Sequence, residues 1–144
     1  GTGRHETTRG CLLALQDIAR RQSPGSILDM GCGSGVLAMA AAKLWPCRVL
    51  GVDNDGPSIK VAADNLRANG VADAVHLLLA DGFGNAVVKR EVQRHLAPGG
   101  QGVLSGLLTT QERQVLARYR AVGLSLLRRY QLGEWSTLHL ALRP

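Results

Sequence analysis

The chain has 144 residues, enough for one domain with its own core and too few for two. Apolar residues make up 45% but aromatics only 3%, so the core must be built from Ala, Val, Leu and Ile, and no apolar run approaches the ~20 residues of a membrane-spanning helix. The formal charge is +6, and Cys11, Cys32 and Cys47 lack metal-ligand spacing, which points to reduced thiols, a cytoplasmic chain and no metal site.

The opening residues are polar and Gly-rich and do not read as a secretion signal. Residues 8–21, "TRGCLLALQDIARR", carry Leu12, Leu15 or Gln16, and Ile18 or Ala19 near one helical stripe, and "QSPGS" then turns the chain. "SILDM" (26–30) is a short apolar run that stops at glycines, a buried strand. "GVLAMAAAKLW" predicts a helix that Pro46 ends. "RVLGVD" (48–53) is the second strand. Pro57 opens the next helix, with Asp55 as its cap, Ile59, Ala62, Ala63 and Leu66 on one face, and Asn69-Gly70 at its end. "AVHLLLA" (74–80) is a third strand. A short helix ending in "LAPGG" (96–100), a strand "QGVLSGLL" and a helix from about Thr110 to Val122 follow. The chain closes on a hairpin turning near Leu132-Gly133. This alternation predicts an α/β fold, a doubly wound, mostly parallel sheet with a C-terminal antiparallel hairpin.

Basic residues concentrate late, in Lys89, Arg90, Arg94, Arg113, Arg118, Arg120, Arg128 and Arg129. They form either a surface for nucleic acid or an acidic partner or solvated helix faces; no aromatic is interleaved to stack bases, which favours the second reading, and direct nucleic-acid binding is not expected.

The informative stretch is "DMGCGSGVLA" (29–38). As Gly33-x-Gly35-x-x-Ala38 it fits the dinucleotide fingerprint, with Asp53 twenty residues beyond Gly33, the pattern of a nicotinamide-dependent oxidoreductase. As Asp29-x-Gly31-x-Gly33-x-Gly35 it looks like the S-adenosylmethionine loop of class I methyltransferases. In both readings the glycines let the chain turn tightly beside a ligand, and Asp53 accepts the ribose hydroxyl hydrogens. Asp29 separates the two, because a carboxylate there suits a cationic sulfonium and its amino group better than an anionic pyrophosphate. Asp81, in "LADGF", is placed either to meet an adenine amino group, with Phe83 packed beside it, or simply to make an Asp-Gly turn. Cys32 fills a small-residue slot and is assigned no chemistry.

Together with this loop, "GTGRHETT" (1–8), "GVDNDGPSIKVAADNLRANGV", "LAPGGQGVLSGLL" and "GEWSTLHLAL" resemble the bacterial ribosomal protein L-eleven methyltransferases over nearly the whole chain. The resemblance implies a Rossmann-like class I methyltransferase domain over residues 1–144 that binds S-adenosylmethionine through Thr8, Gly31 and Asp53. It implies an enzyme that methylates lysine and terminal amino groups of a large-subunit ribosomal protein and releases S-adenosylhomocysteine. His5 falls in the segment that closes over the cofactor or serves as a structural hydrogen-bonder. No catalytic base is identified.

Two departures bear on function. The family's N-terminal recognition domain is expected to be absent. Its fourth strand, with an Asn that faces the cofactor, has no counterpart, since "ADGFGNAVVKR" runs straight into "EVQRHLAPGG". Omitting one strand would leave its neighbours about 9.6 Å apart with their ladders unpaired. The expectation is therefore that residues are missing near Arg90–Glu91. If the strand is truly deleted, a non-catalytic, cofactor-binding remnant becomes the better reading.

Overall fold

The computed structural model describes residues 5–81, 90, 100–121 and 123–142. Helix α1 (Glu6–Ala19) leads into strand β1 (Ser26–Met30), helix α2 (Val36–Leu44), strand β2 (Arg48–Asp53), helix α3 (Gly56–Ala68) and strand β3 (Val75–Leu79). Strand β4 (Gln101–Leu108), a 3-10 turn (Thr109–Gln111), helix α4 (Glu112–Ala121) and the hairpin of β5 (Leu124–Leu132) and β6 (Trp135–Leu142) follow. The elements agree with the sequence reading where both speak. The expected 96–100 helix end, Phe83 and the Arg90–Glu91 junction lie outside the described residues.

Helix boundaries follow local chemistry. Asp55 caps α3 by accepting from the Ser58 amide at 2.9 Å, Pro57 sits in its first turn, and Gly70 leaves it with φ +69°. At the start of α1, His5 Nδ1 accepts from the Thr7 amide and lies 2.7 Å from the Thr7 hydroxyl. Its ring packs edge-on to Trp135, with centroids 5.4 Å apart. The geometry gives His5 a structural, capping role.

The strands form two sheets. One is parallel, ordered β1-β2-β3; the other is antiparallel, ordered β4-β6-β5, so β5 and β6 pair as the hairpin reading expects and β6 lies between β5 and β4. The doubly wound sheet is thus present as a parallel and an antiparallel half, with β1 and β4 not hydrogen-bonded to each other. Helix α1 packs against the three antiparallel strands and against α2. Ile27 of β1 and Val103 of β4 touch the same core cluster, built around Ile18, Ala38, Ala41, Trp45, Val49 and Leu66. Trp45 is buried and its indole N–H donates to the Gln22 carbonyl at 3.1 Å, which satisfies the one polar group it brings inside.

Two devices fasten α1 to the antiparallel half. The ladder between β4 and β6 shifts register between Leu104 and Leu107, with Gly106 at φ +80°. This bulge aims the Ser105 hydroxyl at the Thr7 carbonyl, 3.0 Å away, and at the Thr137 hydroxyl, 2.9 Å away. Further along, Asp17 accepts from the Tyr130 hydroxyl at 2.7 Å and pairs with Arg128 at 2.7 Å. Gly10 permits the close approach, because a Cβ there would stand 2.3 Å from the Thr137 hydroxyl oxygen. Among the described residues, no helix is long and apolar enough to cross a membrane.

Candidate cofactor site

The carboxyl ends of β1 and β2 converge on the glycine loop. Gly31, Gly33 and Gly35 all adopt left-handed backbone, with φ between +53° and +79°, where other residues are strained. The amides of Gly31 and Cys32 donate to the Val52 carbonyl at 2.8 and 3.0 Å, which anchors the start of the loop to β2. A Cβ on Gly31 would meet nothing within 4 Å, so the loop opens onto free space there. On the other side, a Cβ on Gly35 would come within 3.2 Å of the Ala62 Cβ, so this glycine serves helix packing.

Two carboxylates shape the site. Asp53 ends β2 and accepts from the Gly33 amide at 2.8 Å through one oxygen and from the Asp55 amide at 3.0 Å through the other. Each oxygen keeps a second lone pair, the capacity needed to receive two ribose hydroxyls. Asp29 accepts from the Ala38 amide at 3.0 Å, which places its carboxylate on the N-terminus of α2. Burial pushes the Asp29 carboxyl up to about 6; the Ala38 amide opposes that shift and the nearby Asp53 charge adds to it.

The Asp29 contact bears on which charge this loop suits. In dinucleotide-binding folds the pyrophosphate sits on the amides at the start of this helix. Here a protein carboxylate already occupies that position, so a phosphate would meet like charge where it needs a donor. A ligand presenting a positive group meets attraction instead.

The other sequence candidates fall as follows. Thr8 is buried in the first turn of α1. Cys11, three residues on, is buried, and burial raises its pKa. Asp81 is exposed just beyond β3, next to Ala80, whose amide donates to the Asp53 carbonyl at 2.9 Å. The Cys32 thiol is buried and pushed up to about 12 by burial and by the Asp29 and Asp53 charges, so it is inert at neutral pH. Sequence reasoning missed Asn65, whose side-chain amide donates to the Ser34 carbonyl at 2.9 Å and braces the loop from α3. No spacing rule marks it; only the packing of α3 against the loop brings it there. Of the late basic residues, Arg128 pairs with Asp17 and Arg129 with Glu112, whereas Arg113, Arg118 and Arg120 lie exposed on α4.

The family model described as ribosomal protein L11 methyltransferase (PrmA) matches residues 1–90 and 86–143. The chain belongs to that family. Ribosomal protein L11 methyltransferases of Bradyrhizobium diazoefficiens and Agrobacterium fabrum are 43% and 37% identical to it, each over 97% of this chain and 55% of their own length. The chain thus spans about half the length of the curated relatives it matches. Among solved structures, a ribosomal protein L11 methylase from Lactobacillus delbrueckii subsp. bulgaricus superposes with a TM-score of 0.85 at 23% identity, covering 99% of this chain and 81% of that one. An RNA methyltransferase from Salinibacter ruber, solved with S-adenosyl-L-homocysteine, superposes with a TM-score of 0.63 at 17% identity, over 92% of this chain and 90% of that one.

Proposed function

We propose that this member of the ribosomal protein L11 methyltransferase family supplies a methyltransferase domain that binds S-adenosylmethionine and carries methyl groups to lysine and terminal amines of ribosomal protein L11 in the cytoplasm. The observation that carries the cofactor assignment is the Asp29 carboxylate on the N-terminus of α2. It favours a cationic ligand over a nicotinamide dinucleotide, and the family to which the chain belongs supplies the reaction.

In this reading Asp53 holds the ribose, Gly31 and Gly33 let the ligand lie against the backbone, and Asp29 faces its positive end. Gly35 keeps α3 seated, Thr8 closes the site from α1, and Asp81 meets the adenine. When bound, the sulfonium supplies an already activated methyl group. Positioning by the chain then accounts for much of the acceleration. The accepting amine must arrive neutral, although a free lysine has a pKa near ~10.4, and a desolvated approach path lowers that value.

The test is a methyl-transfer assay with labelled S-adenosylmethionine and purified ribosomal protein L11. Label incorporated into lysine or terminal amines supports the reading. Cofactor binding with no transfer would leave a cofactor-binding module in its place.

A further inference from the structure

Helices α1 and α2 pack together, and their C-terminal ends meet, because the Gln22 carbonyl just past α1 accepts from the indole N–H of Trp45 just past α2 at 3.1 Å. The two helices therefore run in the same direction. The N-terminus of α1 stands at the same end of the fold as the N-terminus of α2, which is the end of the glycine loop. Thr8 lies in the first turn of α1 and is buried.

That turn is gripped from the antiparallel half. Leu104 pairs with Leu138 and Leu107 with Ser136, so Ser105 and Gly106 together face the single residue Thr137, a bulge that Gly106 accommodates at φ +80°. A serine hydroxyl has one hydrogen to give. Ser105 gives it to the Thr7 carbonyl at 3.0 Å, so the Thr137 hydroxyl, 2.9 Å away, donates to Ser105 in turn. Thr137 is 2% exposed, which leaves its hydroxyl dependent on that partner. The hydroxyls thus form a directed chain from Thr137 through Ser105 to the peptide that joins Thr7 to Thr8. Beside it the His5 ring lies edge-on to Trp135.

We propose that Ser105 is a positioning residue for the cofactor, acting through Thr8. Its hydroxyl fixes the Thr7–Thr8 peptide and so holds the first turn of α1 closed at the glycine-loop end. The proposal rests on the S-adenosylmethionine reading of that loop. Apparent affinity scales with the fraction of molecules in the binding-competent arrangement, and cutting the hydroxyl chain lowers that fraction. Because Ser105 acts through backbone on the cofactor side, it governs cofactor affinity rather than methyl transfer.

The test compares the natural chain with Ser105→Ala, Ser105→Thr, Thr137→Val and a control, Leu124→Val, which trims the core of the antiparallel half. Each is melted, titrated with S-adenosylhomocysteine by calorimetry, and assayed for KM and kcat with S-adenosylmethionine and ribosomal protein L11. Ser105→Ala is expected to bind about 3- to 10-fold more weakly and to raise the KM for S-adenosylmethionine by the same factor, with kcat within about twofold of natural. Ser105→Thr keeps the hydroxyl and is expected to recover natural affinity. Thr137→Val keeps the shape and loses the donor; it is expected to weaken binding in the same direction, and it carries the test if Ser105→Ala does not fold. Combined with Ser105→Ala it is expected to add nothing further, since both cut one chain. Natural affinity in Ser105→Ala and Thr137→Val overturns the proposal and leaves the cofactor reading standing. Equal weakening in Leu124→Val at a matched drop in melting midpoint also overturns it, because affinity then follows stability alone. Failure of the natural chain to bind S-adenosylhomocysteine overturns the cofactor reading and this proposal with it.

Discussion

The Gly33 amide donates to the Asp53 carboxylate across 2.8 Å, joining the glycine loop to the end of β2. One carboxylate thus fixes the loop's backbone and, in the proposed function, receives the ribose. Replacing Asp53 with Asn leaves an acceptor for only one of the two amides that now point at it, Gly33 and Asp55. Hydrogen bonds to a charged group are worth about 1.5–3 kcal/mol, so Asp53→Asn is expected to weaken S-adenosylhomocysteine binding by about 10- to 100-fold. Calorimetric titration of the variant checks this; unchanged affinity would remove Asp53 from the site.

Asp29 makes the site's pH dependence. Its folded pKa of about 6 lies above the ordinary carboxylate value, so the folded chain favours the protonated form. The sign follows: this group's contribution to stability falls as pH rises from about 4 to about 6 and stays low above that. Asp29→Asn keeps an acceptor for the Ala38 amide and removes the buried charge. At pH 7 the variant is expected to melt higher, by about 1–2 kcal/mol in stability, while binding S-adenosylhomocysteine more weakly. In the natural chain, cofactor affinity is expected to fall as pH drops below about 6. Calorimetry at pH 5, 6 and 7.5 tests both statements, and a flat profile contradicts them.

Asn65 braces the loop without belonging to it. Asn65→Ala is expected to lower cofactor affinity several-fold through a looser Ser34 carbonyl, with a cost of about 1 kcal/mol in stability. Chemical denaturation alongside titration separates the two effects.

Gly10 and Thr137 form the tightest seam between α1 and the antiparallel half. Gly10→Ala gains helix propensity but drives a methyl into the Thr137 hydroxyl, and a net loss of about 1–3 kcal/mol is expected. Adding Thr137→Ala is expected to restore part of that loss, although Ser105 then loses a partner. A double-mutant cycle with purely additive costs would show that the seam tolerates the methyl.

Much of the fold was readable in the residues themselves. Asp55 and Pro57 mark the start of α3, and the glycines between "SILDM" and the Ala-rich helix mark the loop, because caps, proline and left-handed turns are local effects. Asp53 was placed by its spacing from Gly33. What escaped the sequence depends on reach between elements. The Asp29 sign argument needs only the sequence, whereas its contact with the Ala38 amide requires β1 and α2 to be packed together. The Ser105–Gly106 bulge, the Asn65 brace and the His5–Trp135 contact arise the same way. The expectation of a missing strand came from the resemblance, whereas the separation of the sheet into two halves is a property of the paired backbone alone.

The account turns on which ligand the loop accepts, so the most direct measurement is a calorimetric titration of the chain with S-adenosylhomocysteine and, separately, with oxidised nicotinamide adenine dinucleotide at pH 7.5. Saturable one-to-one binding of the first, with no detectable heat from the second, is the predicted result. Binding of the dinucleotide alone would contradict the reading of Asp29 and, with it, the methyl-donor assignment.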